Sequence, residues 1–575
     1  MTARLYQFAG NKEAVPDSSE RNFNAEQVLP NLTADKLEAL FSRLSLEDKM
    51  LILRHKIVPV ACLPDLTLYA AAGEESVRQA RENGKRIVAK MTAQDLRLVI
   101  RRKLGPEILA KAVHHLKMRR AEYSAFRRIT KLQGFWIGVF LVWAATAWAL
   151  FDPFYFYAGL SFLCGIFFLS VIALRLLCLL SYNKHNPPPH LPLQDIDLPV
   201  YSVLVPVFRE TQVLSQLVQS LSRLNYPKFK LDIKLILEET DIPMQRAVAA
   251  LELPEFFDII VVPAGLPQTK PRALNYALQF ARGQLLTIYD AEDMPEPMQL
   301  RKASAQFANS PHELACLQAE LAFYNPNENW LTRQFTVEYA TLFKLILPGL
   351  ASQRLPILLG GTSNHFRISI LRELGAWDPF NVTEDADLGL RLARAGYGTA
   401  ALDSITYEEA NPVFGNWLQQ RSRWLKGFLQ TWLVHMRSPV LLGQEIGFDG
   451  FWAMQAMTFG LIVSALFHPF LLGHAAYVIL SGTLALQAVN LPMAILAGLN
   501  IAVLFAGYAF SIYAGYYALR RKQIKGWWFV LATMPCYWML MSLAGWMALW
   551  QFIFNPFHWN KTTHGLSRFQ KTPSL

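Results

Sequence analysis

Two kinds of hydrophobic pattern alternate along this chain, and they predict different surroundings. The runs Leu132–Phe151 and Phe156–Leu180 are almost unbroken in apolar residues. Each is long enough to cross a hydrocarbon core of about 30 Å at about 1.5 Å per helical residue. The short link between them makes the pair a hairpin. Apolar runs return at Phe451–Leu472, Leu491–Leu519 and Trp527–Phe554, so at least three more membrane elements are predicted. Ala475–Val489, which holds Gly482 and Gln487, reads as either a crossing or a dip.

Elsewhere the pattern has the periods of soluble structure. Leu37–Leu44 and Ala93–Arg102 have helical spacing, while Ile57–Cys62 and Leu66–Ala71 read as strands, predicting a small N-terminal α/β domain over 1–128. The stretch Asn186–Pro192, rich in proline, is a stiff linker. Beyond it, β-branched runs at Val200–Val207, Ile233–Leu237, Asp258–Val262 and Leu285–Tyr289 alternate with helical stretches at Thr211–Leu224 and Arg272–Ala281. Strands alternating with helices predict a largely parallel sheet covered on both faces. The resulting division is an N-terminal regulatory or docking domain at 1–128, a membrane hairpin at 132–181, a soluble domain with interfacial helices at 196–440, C-terminal membrane helices at 449–554 and a tail at 555–575.

Composition changes this picture little. Of 575 residues, 53% are hydrophobic and 17% charged. That balance is too apolar for an ordinary soluble protein and too polar for membrane helices alone. The net charge of +11 raises nucleic-acid binding as an option. However, the clusters Lys117–Lys131 and Arg520–Lys525 abut the apolar runs, where positive charge marks the cytoplasmic face, so membrane lipid rather than nucleic acid is the expected partner. Both ends of the hairpin and the soluble domain are therefore expected in the cytoplasm of a multi-pass inner (plasma) membrane protein. The five cysteines lack C-x-x-C spacing, which supports neither a disulfide framework nor a zinc site. No apolar core of a signal peptide precedes Glu20, so the first segment is expected to stay where it was made.

The chemistry gathers at strand ends. Leu285–Tyr289 runs into Asp290, Ala291, Glu292 and Asp293, and parallel sheets bind ligands at the carboxyl ends of their strands. Three carboxylates there repel one another unless a hard divalent cation joins them; the alternative is a solvated acidic turn. Pro206–Glu210 follows the first strand, Glu238 and Glu239 follow the second, and Lys270 with Arg272–Asn275 precedes the acidic one.

With these residues, the segment from Leu198 to Trp424 resembles family 2 glycosyltransferases, in the branch of cellulose, chitin and hyaluronan synthases. The resemblance implies an α/β GT-A (Rossmann-like) catalytic domain inserted between transmembrane helices. It implies that Pro206, Phe208, Glu210, Glu238 and Glu239 hold the nucleoside of a UDP-sugar, that Lys270 meets the diphosphate, and that Asp290 with Glu292 or Asp293 binds Mg²⁺ or Mn²⁺. Two departures stand out: Glu238-Glu239-Thr240 replaces the usual Asp-Asp-Gly, and the D-x-D element reads D-A-E-D. Thr383, Glu384 and Asp385 match the family's T-E-D motif, with Asp385 as the base that takes the acceptor's proton. An isolated acidic start of a helix would otherwise be capping. Gln420, Arg423 and Trp424 match Q-x-x-R-W, where Arg faces the leaving diphosphate and Trp offers a sugar platform. Gly360, Gly361, Thr362 and His365 correspond to the loop touching the acceptor.

In the tail, Phe557–Gly565 resembles the gating loop of cellulose synthases, which implies donor contacts from Lys561 and His564. If Trp527–Phe554 crossed once from a cytoplasmic start, that tail would lie outside. Pro535 offers a break into an inward hairpin or an interfacial helix. The expected function is processive, inverting polymerisation of a β-linked exopolysaccharide from UDP-glucose, onto a growing glycan and through the protein's own helices. The alternatives are single transfer to a lipid carrier, or a catalytically altered sensor. The N-terminal region resembles that of type II secretion ATPases, which implies cyclic di-GMP and an envelope secretion partner.

Overall fold

The structure is a computed structural model that describes residues 30–41, 44–63, 66–150, 153–182, 192–480, 491–519, 525–556 and 565–567. Near the start of the chain, β1 (Ile57–Leu63), β2 (Leu66–Ala72) and β3 (Arg86–Met91) form a small sheet of their own, with β1 antiparallel and β3 parallel to β2. This segment leans on the central body through the helix Gly105–Arg119. Asn275 Nδ2 donates to Ala112 O at 3.0 Å and to Trp377 O at 2.7 Å, while Lys56 pairs with Asp258 at 3.2 Å and Arg101 with Glu239. The proline-rich linker, apart from its last residue, lies outside the described residues.

The central body is built on an eight-stranded sheet. Its strands are β4 (Tyr201–Val207), β5 (Leu231–Glu238), β6 (Phe257–Val262), β7 (Leu285–Ile288), β8 (Met294–Pro295), β9 (Leu314–Phe323), β10 (Asn364–Arg367) and β11 (Gly398–Glu408), in the order β6-β5-β4-β7-β10-β9-β11-β8. β4, β5 and β7 are almost wholly buried, as expected of parallel strands covered on both faces.

The sheet is mixed rather than uniformly parallel. β10 inserts antiparallel between β7 and β9, and β8 pairs antiparallel with β11 at Tyr407–Met294. Both are short, of four and two residues, so no hydrophobic alternation signals them. β8 is an edge strand, the position in which Pro295 removes no interior ladder bond.

Among the described residues, five helices are long and apolar enough to cross a membrane: Lys131–Leu150, Phe162–Ser181, Pro439–Tyr477, Gly498–Leu519 and Met534–Phe554. Within the third, Gly447 adopts φ 72° and kinks the chain. Residues 481–490, which include most of the short run expected to cross or dip, lie outside the described residues, as do 520–524 of the second basic cluster. The last apolar run is broken at Thr533 into Trp527–Ala532 and Met534–Phe554, with Pro535 in the first turn of the second helix, where its missing N–H costs nothing. That second helix ends on the central body. Gln430 donates to Pro556 O at 2.9 Å, and further on Glu409 accepts from the backbone N–H of Gly565 and, at 2.6 Å, of Ser567. Residues 557–564, and with them Lys561 and His564, lie outside the described residues.

Candidate active site

A cavity of about 740 Å³ opens at the carboxyl ends of β4, β5 and β7 and continues between the apolar helices. Pro206, Phe208, Glu210 and Glu238 line one end; Lys270, Asp290 and Glu292 follow; Gly360, Gly361 and Thr362 adjoin Thr383, Glu384 and Asp385; Gln420, Arg423 and Trp424 close the far side. Groups from opposite ends of the soluble domain thus share one space.

The acidic turn is self-supporting. Asp293 is 1% exposed; its Oδ2 accepts from Asp290 N–H at 2.7 Å and from the Thr362 hydroxyl, which ties the turn to the glycine loop. Asp293 therefore lies under the turn and does not line the cavity, whereas Asp290 and Glu292 do. Lys270, first residue of its helix, forms an ion pair with Asp290 and donates to Gly361 O at 2.7 Å. Burial works against its charge, but Asp290 and Glu384 outweigh burial and raise its pKa.

Glu384 and Asp385 begin the helix Glu384–Arg394, and Asp385 Oδ1 accepts the N–H of Ala386 at 2.8 Å. Burial and then the Asp385 charge push Glu384 up to about 8; burial also raises Asp385. The two carboxyls therefore share a proton that the folded chain holds more tightly than water would, chiefly on Glu384. Gly361 keeps the space before the aspartate open, since a Cβ there would sit 3.4 Å from Asp385 Oδ2.

The helix Phe414–His435 reaches this pair because Gly427 packs directly on Thr383; a Cβ at Gly427 would lie 2.4 Å from the threonine methyl. Gln430 Oε1 accepts Val382 N–H at 3.2 Å, and His435 meets Asp387 at 3.2 Å. Within Gln420–Trp424 the two arginines face different ways. Arg423 looks into the cavity toward Glu384, Asp290 and Asp385, with burial lowering its pKa. Arg421 makes two bonds to Glu338, at 2.8 and 2.7 Å, and lies 4.6 Å from the Trp424 ring centre. Trp424 stacks on Tyr339 at 6.1 Å and 25°.

Two further expected contacts are corrected by the geometry. His365 is fully buried in β10, bonded through Nδ1 to the Tyr201 hydroxyl at 2.7 Å, and burial depresses it to about 3, so it is a neutral core residue outside the cavity. Glu239 also lies outside it, held by Arg101 and by Ala264 N–H at 2.8 Å. Conversely, Glu408 at the end of β11 lines the cavity although nothing in its local sequence marks it. Its carboxyl is pushed well above the usual range by burial and by Asp293, Glu292 and Asp290.

The donor set fits a divalent cation. It consists of carboxylate oxygens in excess of nearby cations, with Asp290 and Glu292 both at the cavity wall. Among the described residues no three acidic, histidine or cysteine side chains converge on one point, so Asp290 and Glu292 would supply part of a shell completed by phosphate.

The site is thus an acidic turn at the carboxyl edge of a mixed eight-stranded sheet, set beside apolar helices. Over residues 285–559, a little under half of its length, the chain matches the model of "Glycosyl transferase family group 2". It is 27% identical over 237 residues to the probable glycosyltransferase YdaM of Bacillus subtilis (strain 168), covering 40% of this chain and 56% of that one. It is 24% identical over 267 residues to a beta-monoglucosyldiacylglycerol synthase of Trichormus variabilis, covering 45% and 54%. It is 25% identical over 240 residues to glucomannan 4-beta-mannosyltransferase 2 of Arabidopsis thaliana, covering 40% and 45%. The matched part spans about half the length of these curated relatives. Among solved structures, the mannosyltransferase PcManGT of Pyrobaculum calidifontis, in complex with GDP-Man and Mn²⁺, aligns with a TM-score of 0.42 at 15% identity, covering 68% of this chain and 99% of that one.

Proposed function

We propose that this chain is a processive, inverting synthase of a β-linked exopolysaccharide, using a nucleotide sugar with UDP-glucose as the leading donor and Mg²⁺ or Mn²⁺ as the ion. The observation that carries this reading is the continuity of the cavity. It runs from Asp385 and Trp424 along the helix Leu491–Leu519, where residues from Ala514 back to Asn500 line it. That stretch measures about 21 Å at about 1.5 Å per helical residue, well over half of a hydrocarbon core. A product released at Trp424 would have a path between the helices rather than back to water.

In the proposed step, an acceptor hydroxyl oxygen bonds to the anomeric carbon while the bond to the diphosphate breaks on the opposite face. Asp385 takes the hydroxyl proton. The diphosphate leaves with its charge met by Arg423 and Lys270, fixed donors that need no reorganisation. A bound divalent ion would supply charge neutralisation for the diphosphate at Asp290 and Glu292. With the nucleotide in the cytoplasm, the catalytic body would lie on that side of the inner membrane.

A second reading has its own support: much of the cavity wall between the helices is apolar, including Phe168, Val171, Leu504 and Met541, and would accept the chains of a lipid acceptor. Incubating the purified protein with labelled UDP-glucose, UDP-N-acetylglucosamine and GDP-mannose, with and without lipid, separates the two. Polymeric product supports the synthase; single-sugar lipid product overturns processivity.

A further inference from the structure

The cavity holds one carboxylate that the proposed step leaves unused. Glu408 is the last residue of β11, and three backbone contacts fix it. Tyr407 pairs with Met294, immediately after the acidic turn; Glu408 itself pairs with Phe323; and its carbonyl accepts Tyr324 N–H at 3.0 Å. The side chain enters the cavity between the acidic turn and Tyr339, the ring on which Trp424 stacks.

We infer that Glu408 binds the acceptor, receiving a hydrogen bond from a hydroxyl of the sugar ring laid on the Trp424–Tyr339 platform. The inference rests on reading this cavity as a sugar-transfer site. Its Oε1 is buried and has no hydrogen-bond partner among the described residues, a state that costs free energy until a donor arrives. The charged groups around it do not supply one. Asp290 and Glu292 are acceptors when ionised, Asp293 is taken up with Asp290 N–H and the Thr362 hydroxyl, and Lys270 is engaged by Asp290 and Gly361 O. A sugar stacked by its apolar face keeps its hydroxyls at the rim, free to meet a carboxyl group that lines the same cavity. A cation is the competing donor-side partner, but no three ligating side chains converge here among the described residues.

The test uses the full chain in detergent, with Glu408→Ala, Glu408→Gln and Glu408→Asp, and a β-linked glucose tetrasaccharide as probe. Its affinity for the UDP-loaded protein is read by tryptophan fluorescence, without turnover; Mn²⁺ affinity in the UDP complex is read by electron paramagnetic resonance. Glu408→Ala should weaken tetrasaccharide binding roughly 3- to 10-fold, the loss of one hydrogen bond to an uncharged carboxyl group, with Gln and Asp in between. Affinities for UDP and Mn²⁺ should change by less than about twofold. Unchanged tetrasaccharide affinity in all three variants overturns the inference, as does a fall in Mn²⁺ affinity alone, which would make Glu408 a metal ligand. Because the readout is binding, weakened sugar binding in a protein that transfers no sugar would sustain Glu408's role and overturn the proposed function instead.

Discussion

Replacing Glu384 by glutamine should stabilise the protein increasingly as pH rises. Glu384 is 5% exposed and its pKa stands at about 8 against an ordinary 4.5, raised first by burial and then by Asp385, with Lys270 and Arg423 opposing. The folded chain therefore holds this proton more tightly than the unfolded chain. Between 4.5 and about 8 the unfolded state has released it and the folded state has not. Stability then falls by about 1.4 kcal/mol per pH unit, or about 3 kcal/mol by neutral pH. Glutamine keeps the shape and removes the titration. The melting temperature of purified wild type and Glu384→Gln, compared at pH 4.5 and pH 7 at one scan rate, should diverge by roughly 6–12 °C, using about 2–4 °C per kcal/mol for a domain of about 150–250 residues. Transfer by the wild type should also decline above pH 8, where a second charge appears beside Asp385. A difference between the two proteins that stays constant with pH would refute the shared-proton account of the pair.

Asp385→Asn should bind UDP with unchanged affinity by calorimetry while transfer falls by about 10²–10⁴-fold, the usual contribution of a positioned base; loss of both together would assign it a structural role. Arg421→Ala removes two bonds donated to half-exposed Glu338 and one donated to Tyr537 and should cost about 1–3 kcal/mol, read as a lowered melting temperature. Asn275→Ala removes two donated bonds and one accepted from Trp377 N–H, so limited proteolysis should release the N-terminal segment faster, with a stability loss of about 2–3 kcal/mol.

The strands that carry the donor end were legible because each is a short β-branched run closed by polar residues. Val200–Val207, Ile233–Leu237 and Leu285–Tyr289 predict β4, β5 and β7 to within two residues at either end. The acidic turn, Lys270 and the Thr383–Asp385 tripeptide were legible as residue types at strand and helix ends, where ligands and dipoles act. What periodicity could not give is the direction of short strands. β8 and β10 are two and four residues long, too short for any alternation to register. His365 was misread for that reason: in a loop it would face a sugar, but as a strand residue paired with Thr287 it points into the core against Tyr201.

The larger gap concerns residues whose role depends on a partner far along the chain. Gly427 is one glycine inside a helix, yet its missing side chain is what lets the helix bearing Gln420, Arg423 and Trp424 touch Thr383. A helix-interior glycine costs about 1 kcal/mol relative to alanine, and such a cost at a contact this close indicates that proximity is what the fold requires there. Arg421 and Arg423 are indistinguishable in sequence. Two positions apart on a helix, they differ by about 200° in direction. One therefore faces Glu338 while the other faces the carboxylates of the cavity. Glu408 follows the same logic: it becomes a cavity residue only because β8 draws the end of β11 to the acidic turn. The motifs thus announce the reacting groups, whereas the residues that position the acceptor and join the pieces are defined by packing between segments that no local pattern connects.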